Sequence, residues 1–88
     1  MFATSSIIAG WCEVEDFIKQ GVELHIDGPA NVRSKPNGKI LYSLAQDTAV
    51  HVEKTTLVGK AKWYLVRWQQ SGKTLKGWTH QQNIFCKP

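Results

Sequence analysis

The stretch from Lys62 to His80, KWYLVRWQQSGKTLKGWTH, decides how this chain folds. It holds three of the four tryptophans, interleaved with three lysines and an arginine. Lys62–Trp68 is rich in aromatic and β-branched residues and reads as a strand, as does Thr74–Thr79. Between them, Gln70-Ser71-Gly72-Lys73 has the residues of a hairpin turn. In an extended chain successive side chains face opposite ways. Tyr64 and Val66 therefore point to one side, and Trp63, Leu65 and Arg67 to the other. A small barrel has one inside, so one of these sets must be partly exposed. The hairpin is then either a closure for a small core or a surface that grips a ligand.

Upstream of it, short strands alternate with turn residues. Val22–Ile26 (VELHI) alternates apolar and polar, and Asp27-Gly28-Pro29 turns the chain. Ala30–Ser34 follows, then a turn at Lys35-Pro36-Asn37-Gly38. Lys39–Leu44 is a strand, Ala45-Gln46-Asp47 a bend, and Thr48–Glu53 another strand, from which a loop through Gly59 reaches the hairpin. His80–Phe85 reads as a helical turn and a short final strand. The pattern predicts a mainly β fold: a small barrel, closed or half open, of five to six short strands.

The first 21 residues differ. Ile7, Ile8, Trp11, Val14 and Ile18 recur at three- and four-residue steps and predict a helix over Ile7–Gln20. Ser5 or Ser6 could cap it, acids sit toward its first half, Lys19 lies near its end and Gly21 just beyond. The segment Gly10–Phe17 (GWCEVEDF) also alternates in places, so a strand is the competing reading. The expected organisation is an N-terminal extension, 1–21, with a helix packed on the barrel, followed by the barrel itself, 22–88.

Eighty-eight residues, 42% of them hydrophobic, are enough for one domain. Nine aromatics suit a core this small, since each buries a large area. The net charge of +4 is uneven: residues 1–32 carry one lysine against five acids, and residues 33–88 carry ten basic residues against Asp47 and Glu53. A basic C-terminal two-thirds attracts anionic partners, but its lysines are scattered rather than clustered, which makes nucleic acid a weak expectation. Cys12 and Cys86 lie near opposite ends of the chain and could pair, because the termini of small domains often meet. Two unrelated thiols are the alternative. No segment has the ~20 apolar residues of a membrane span. The first ten residues lack the basic start and apolar length of a signal peptide. The expected compartment is the cell envelope, periplasmic or secreted, if a leader has been removed, and otherwise the cytoplasm.

Four blocks together resemble a known family. Asn31–Leu44 (NVRSKPNGKILYSL), Thr48–Val52 (TAVHV), Trp63–Val66 (WYLV) and Gly77–Ile84 (GWTHQQNI) come in the order and spacing of bacterial SH3-like domains. The resemblance covers about residues 22–85. Lys35 stands where the family usually has Gly, and Thr79 where it usually has Val. What the resemblance implies is a non-catalytic binding module at the bacterial envelope, holding peptidoglycan peptides or partner proteins. It also implies that Trp63 and Trp78 mainly close the barrel, that Leu41 and Leu44 are buried, and that Tyr42 replaces a small or polar residue.

The candidate ligand-binding residues are Tyr42, Trp68, Arg33, Arg67, Trp63 and Trp78. Trp68 begins the hairpin turn between Arg67 and Gln69, where it would stand in solvent or else pack on the N-terminal helix against Trp11. An exposed Tyr42 beside Arg33 and Lys39 would add rigid contact area and a hydroxyl. Arg33 would either contact the ligand or pair with Asp47 or Glu53. His25, His51 and His80 sit singly and read as packing or surface residues. No nucleophile motif, phosphate-cradling loop or metal-ligand spacing occurs, so neither an enzyme nor a metal or other cofactor is expected. The leading expectation is recognition of a peptide, cell-wall glycopeptide or partner protein on an aromatic and basic face. The rival readings are a stand-alone immunity or inhibitor protein that blocks a toxin or lytic enzyme, and a small nucleic-acid-binding barrel.

Overall fold

A computed structural model describes residues 12–87. Among them are seven strands: β1 (Leu24–Ile26), β2 (Ala30–Arg33), β3 (Ile40–Leu44), β4 (Ala49–Val58), β5 (Ala61–Gln70), β6 (Lys73–His80) and β7 (Ile84–Phe85). They form one antiparallel sheet in the order β3-β2-β6-β5-β4-β1-β7, curled into a half-barrel. The count exceeds the expected five to six because the two-residue β7 finds a partner in β1, where Ile26 faces Ile84.

The quoted hairpin is the centre of the sheet. Strand β5 pairs with β6 from Trp63↔His80 to Gln70↔Lys73 and with β4 from His51↔Arg67 to Val58↔Ala61. The β5–β6 loop is Ser71-Gly72, with φ of 53° and 77°. Both residues in the left-handed region give the turn whose twist matches the flanking strands, and Gly72 adopts it without steric cost.

Alternation along β5 sets the inside. Tyr64, Val66 and Trp68 face the core with Leu24, Ile26, Ala30, Val32, Leu44, Val50 and Ile84. Thr79, fully buried, also lies on this side. Its hydroxyl donates to Asn31 O at 3.1 Å and accepts from Asn83 Nδ2 at 2.9 Å, which is how a hydroxyl is accommodated out of reach of water.

Two expected directions are overturned. Trp68 does not stand in solvent; it is 3% exposed and pairs across the sheet with Leu75. The strand continues to Gln70, so Trp68 keeps the inward parity of Tyr64 and Val66. On β3, Leu41 is exposed, whereas Tyr42 packs against the core, edge-on to Trp68 with ring centroids 5.3 Å apart. Leu44 is buried, and period-two alternation carries Tyr42 inward with it.

The N-terminal helix, α1, runs Val14–Gln20. Its predicted span is corrected at Glu13, whose extended backbone (φ −124°) stops a helix from running through it. The expected stretch 7–11, the caps at Ser5 and Ser6, and Trp11 lie outside the described residues. The helical backbone of Val14–Phe17 also overturns the strand reading there. Gly21, at φ 69°, ends the helix, donating to Ile18 O at 3.1 Å while Val22 N reaches Phe17 O at 2.9 Å. Val14, Phe17 and Ile18 pack against the core cluster. Cys12 is disulfide-bonded to Cys86, with Cα atoms 6.1 Å apart, so the segment preceding α1 is tied to the one following β7. No described helix is long and apolar enough to cross a membrane.

Candidate ligand-binding cleft

The outer face of β5 and β6 carries the side chains that the core does not use. Register places Trp63 opposite His80, Leu65 opposite Trp78, and Arg67 opposite Lys76. Arg33 joins this row from β2, paired in register with Trp78. Trp63 is 6% exposed yet lies outside the core cluster, with its ring 5.4 Å from that of His80 at 73°. It lines a cleft on this face.

That cleft has a volume of about 380 Å³ and is lined by Pro29, Ala30, Asn31, Arg33, Asn37, Trp63, His80, Gln82 and Asn83. No carboxylate is among these residues. Several elements converge to build it: β2 with the residue before it, the 34–39 turn, the start of β5 at Trp63, the end of β6 at His80, and the 3-10 turn Gln81–Asn83. Asn37 occupies the left-handed region, φ 60°, and Gly38 N donates to Lys35 O at 2.8 Å, closing the turn that carries it.

Arg33 is not paired with Asp47 or Glu53. Its Nη1 donates to Gly38 O at 2.8 Å, a neutral acceptor. Asp47 is taken by Lys87 at 3.3 Å, and Glu53 by Arg67 and Lys76 at 2.8 and 3.0 Å. Among the described residues the guanidinium therefore keeps an unneutralised charge and further N–H groups beside the cleft. His80 is oriented by its neighbour: Nδ1 accepts from Gln82 N at 3.1 Å, capping the 3-10 turn. In the neutral ring the proton then sits on Nε2, which becomes a donor. Asn83 commits Nδ2 to Thr79, leaving Oδ1 as an acceptor.

A second cleft, of about 300 Å³, lies at the other end of β5, lined by Glu23, Thr48, Ala49, His51, Arg67, Trp68 and Gln69. Its arginine is neutralised. Glu53 occupies the bulge where the β4–β5 register shifts, and an extra residue there re-aims a side chain, which meets Arg67 and Lys76 on the outer face. The hydrogen bond from Lys76, joined by Arg67, holds the Glu53 carboxyl below its ordinary value.

The six expected site residues are thus divided. Arg33 and Trp63 share the first cleft, with Trp78 half-buried beside Arg33. Arg67 belongs to an ion network, and Tyr42 with Trp68 to the core. Asn31, Asn37, His80, Gln82 and Asn83 were missed, because single amides and a lone histidine carry no motif until a turn gathers them. Comparison of the chain with protein-family models, curated proteins and solved structures finds no match. What the structure defines is a class by shape, a mainly β curled half-barrel with a cationic cleft on its outer face.

Proposed function

We propose that this chain is an SH3-like barrel acting as a non-catalytic binding module, which takes a peptide, cell-wall glycopeptide or partner protein on its aromatic and basic outer face. The observation that carries the reading is the first cleft. It combines an arginine with no carboxylate partner among the described residues, four side-chain amides and an indole, and no acid among its lining residues. Ligand sites with a few fixed polar groups around an apolar floor have this make-up. The disulfide supports the non-catalytic reading, since it removes both thiols as nucleophiles. It also supports work in an oxidising compartment such as the periplasm or cell exterior.

Co-sedimentation with purified sacculi tests the cell-wall form. Wild-type protein is retained, and Arg33→Gln is released at lower ionic strength. Wild-type protein that stays in the supernatant at low salt removes the cell-wall form.

A further inference from the structure

The first cleft has a more specific chemistry than a generally basic surface. It offers one fixed positive charge, from Arg33, and a second donor aimed by a backbone contact, the Nε2–H of His80. Beside these donors stands one acceptor whose orientation is also determined, Oδ1 of Asn83. Trp63 lines the same cleft and gives it an aromatic surface, while its Nε1–H is buried with no acceptor among the described residues. The guanidinium fork fits carboxylate and phosphate alike, so the choice falls to charge: one cation balances a monoanion and leaves a more highly charged phosphate uncompensated. An acceptor next to that anion seat suits the N–H of the amide that precedes a chain-terminal carboxylate.

Resting on the binding-module reading, we infer that the cleft formed by Arg33, Trp63, His80 and Asn83 is the seat of a peptide C-terminus. The α-carboxylate lies against the free N–H groups of Arg33 and Nε2–H of His80, and Asn83 Oδ1 accepts the last peptide N–H. A volume of about 380 Å³ holds a terminal residue and the amide before it. The preceding residues leave toward Trp78, the half-buried neighbour of Arg33 in register.

The test uses two small probes that differ in one group, N-acetylglycine and N-acetylglycinamide, titrated into the isotope-labelled protein and followed by NMR. The acid shifts the Trp63 indole, Arg33 side-chain and Asn83 amide signals, and the amide needs at least roughly tenfold higher concentration for the same shifts. Two variants act through different atoms: Arg33→Gln removes the charge, and Asn83→Asp sets a like charge beside the carboxylate. Each weakens the acid by about tenfold or more while the far-ultraviolet spectrum stays native. Indistinguishable acid and amide, or acid-selective shifts centred on Arg67 and Lys76, would overturn the assignment. Sacculi retention without acid selectivity leaves the module reading standing and removes the C-terminus seat. Acid-selective shifts without retention leave the C-terminus seat standing and remove only the cell-wall form of the module reading.

Discussion

The Tyr64 hydroxyl donates to Glu15 Oε2 at 2.6 Å, tying helix α1 to the central strand across 49 residues of sequence. Lys62 Nζ reaches the same oxygen at 3.0 Å. Glu15 follows Cys12 by three residues, so the contact and the disulfide hold neighbouring points of the N-terminal segment to different parts of the sheet region. The Tyr64 hydrogen bond, then Lys62, holds the Glu15 carboxyl below its ordinary value of 4.5. Burial, then the bond to Glu15, raises the Tyr64 hydroxyl above its ordinary 10.0.

The pH dependence follows from these directions. A carboxylate lowered by folding contributes stability above its unfolded pKa and loses it as pH falls through the folded value. A phenol raised by folding contributes below its unfolded pKa and loses it as pH rises. The link is therefore complete between about pH 5 and pH 9 and weakens on both sides. Tyr64→Phe lowers stability by about 1 kcal/mol at neutral pH, the modest value reflecting a half-exposed Glu15. Urea midpoints measured across pH check this: Glu15→Gln flattens the acid limb, and Tyr64→Phe flattens both limbs.

The Cys12–Cys86 bond closes a loop with a sequence separation of 74. Chain-entropy reasoning sets its contribution at about 4 kcal/mol. Reduction, or the paired substitution of both cysteines by serine, lowers the denaturation midpoint accordingly. Urea titration with and without reductant measures it, and an unchanged midpoint would show that the termini are held without the bond.

Trp68→Ala is a stability mutation. Its ring fills the core against Tyr42, and Nε1 is satisfied by Gln70 at 3.2 Å. Truncation costs about 3–5 kcal/mol. Thermal denaturation shows the loss. At a temperature where the variant is folded, its affinity for any ligand of the first cleft is unchanged.

Gly77→Ala destabilises by about 1–3 kcal/mol, because a Cβ there runs into the Cγ1 of Val32 on the neighbouring strand. Val32→Ala alone also destabilises, because Val32 is buried in the core, but the double variant loses less than the sum of the two single losses, since the smaller side chain vacates the site. Denaturation of the two single variants and the double variant checks the coupling.

Much of the architecture is legible in local chemistry. The turns at Lys35–Gly38 and Ser71-Gly72, the helix end at Gly21 and the alternation of β5 are each written in a few adjacent residues. Their physics acts over one turn or one strand, and the structure follows it. Even the burial of Trp68 was available there, since Tyr64 and Val66 share its parity. The turn residues that follow it suggest solvent instead, because they imply that the strand ends at Trp68 rather than at Gln70. The disulfide was an open alternative for the opposite reason: pairing depends on where the two ends of the sheet arrive.

The cleft was not legible. Arg33, Trp63, His80 and Asn83 are spread over 50 positions and meet because β2 lies against β6 and the Gln81–Asn83 turn folds back over Trp63. Which carboxylate takes which cation was equally a matter of packing. A bulge turns Glu53 toward Arg67 and Lys76, Asp47 goes to Lys87, and Arg33 is left with a carbonyl. Strand identity is a short-range property of the chain, whereas a site's charge and shape are settled by which distant side chains the sheet order makes neighbours.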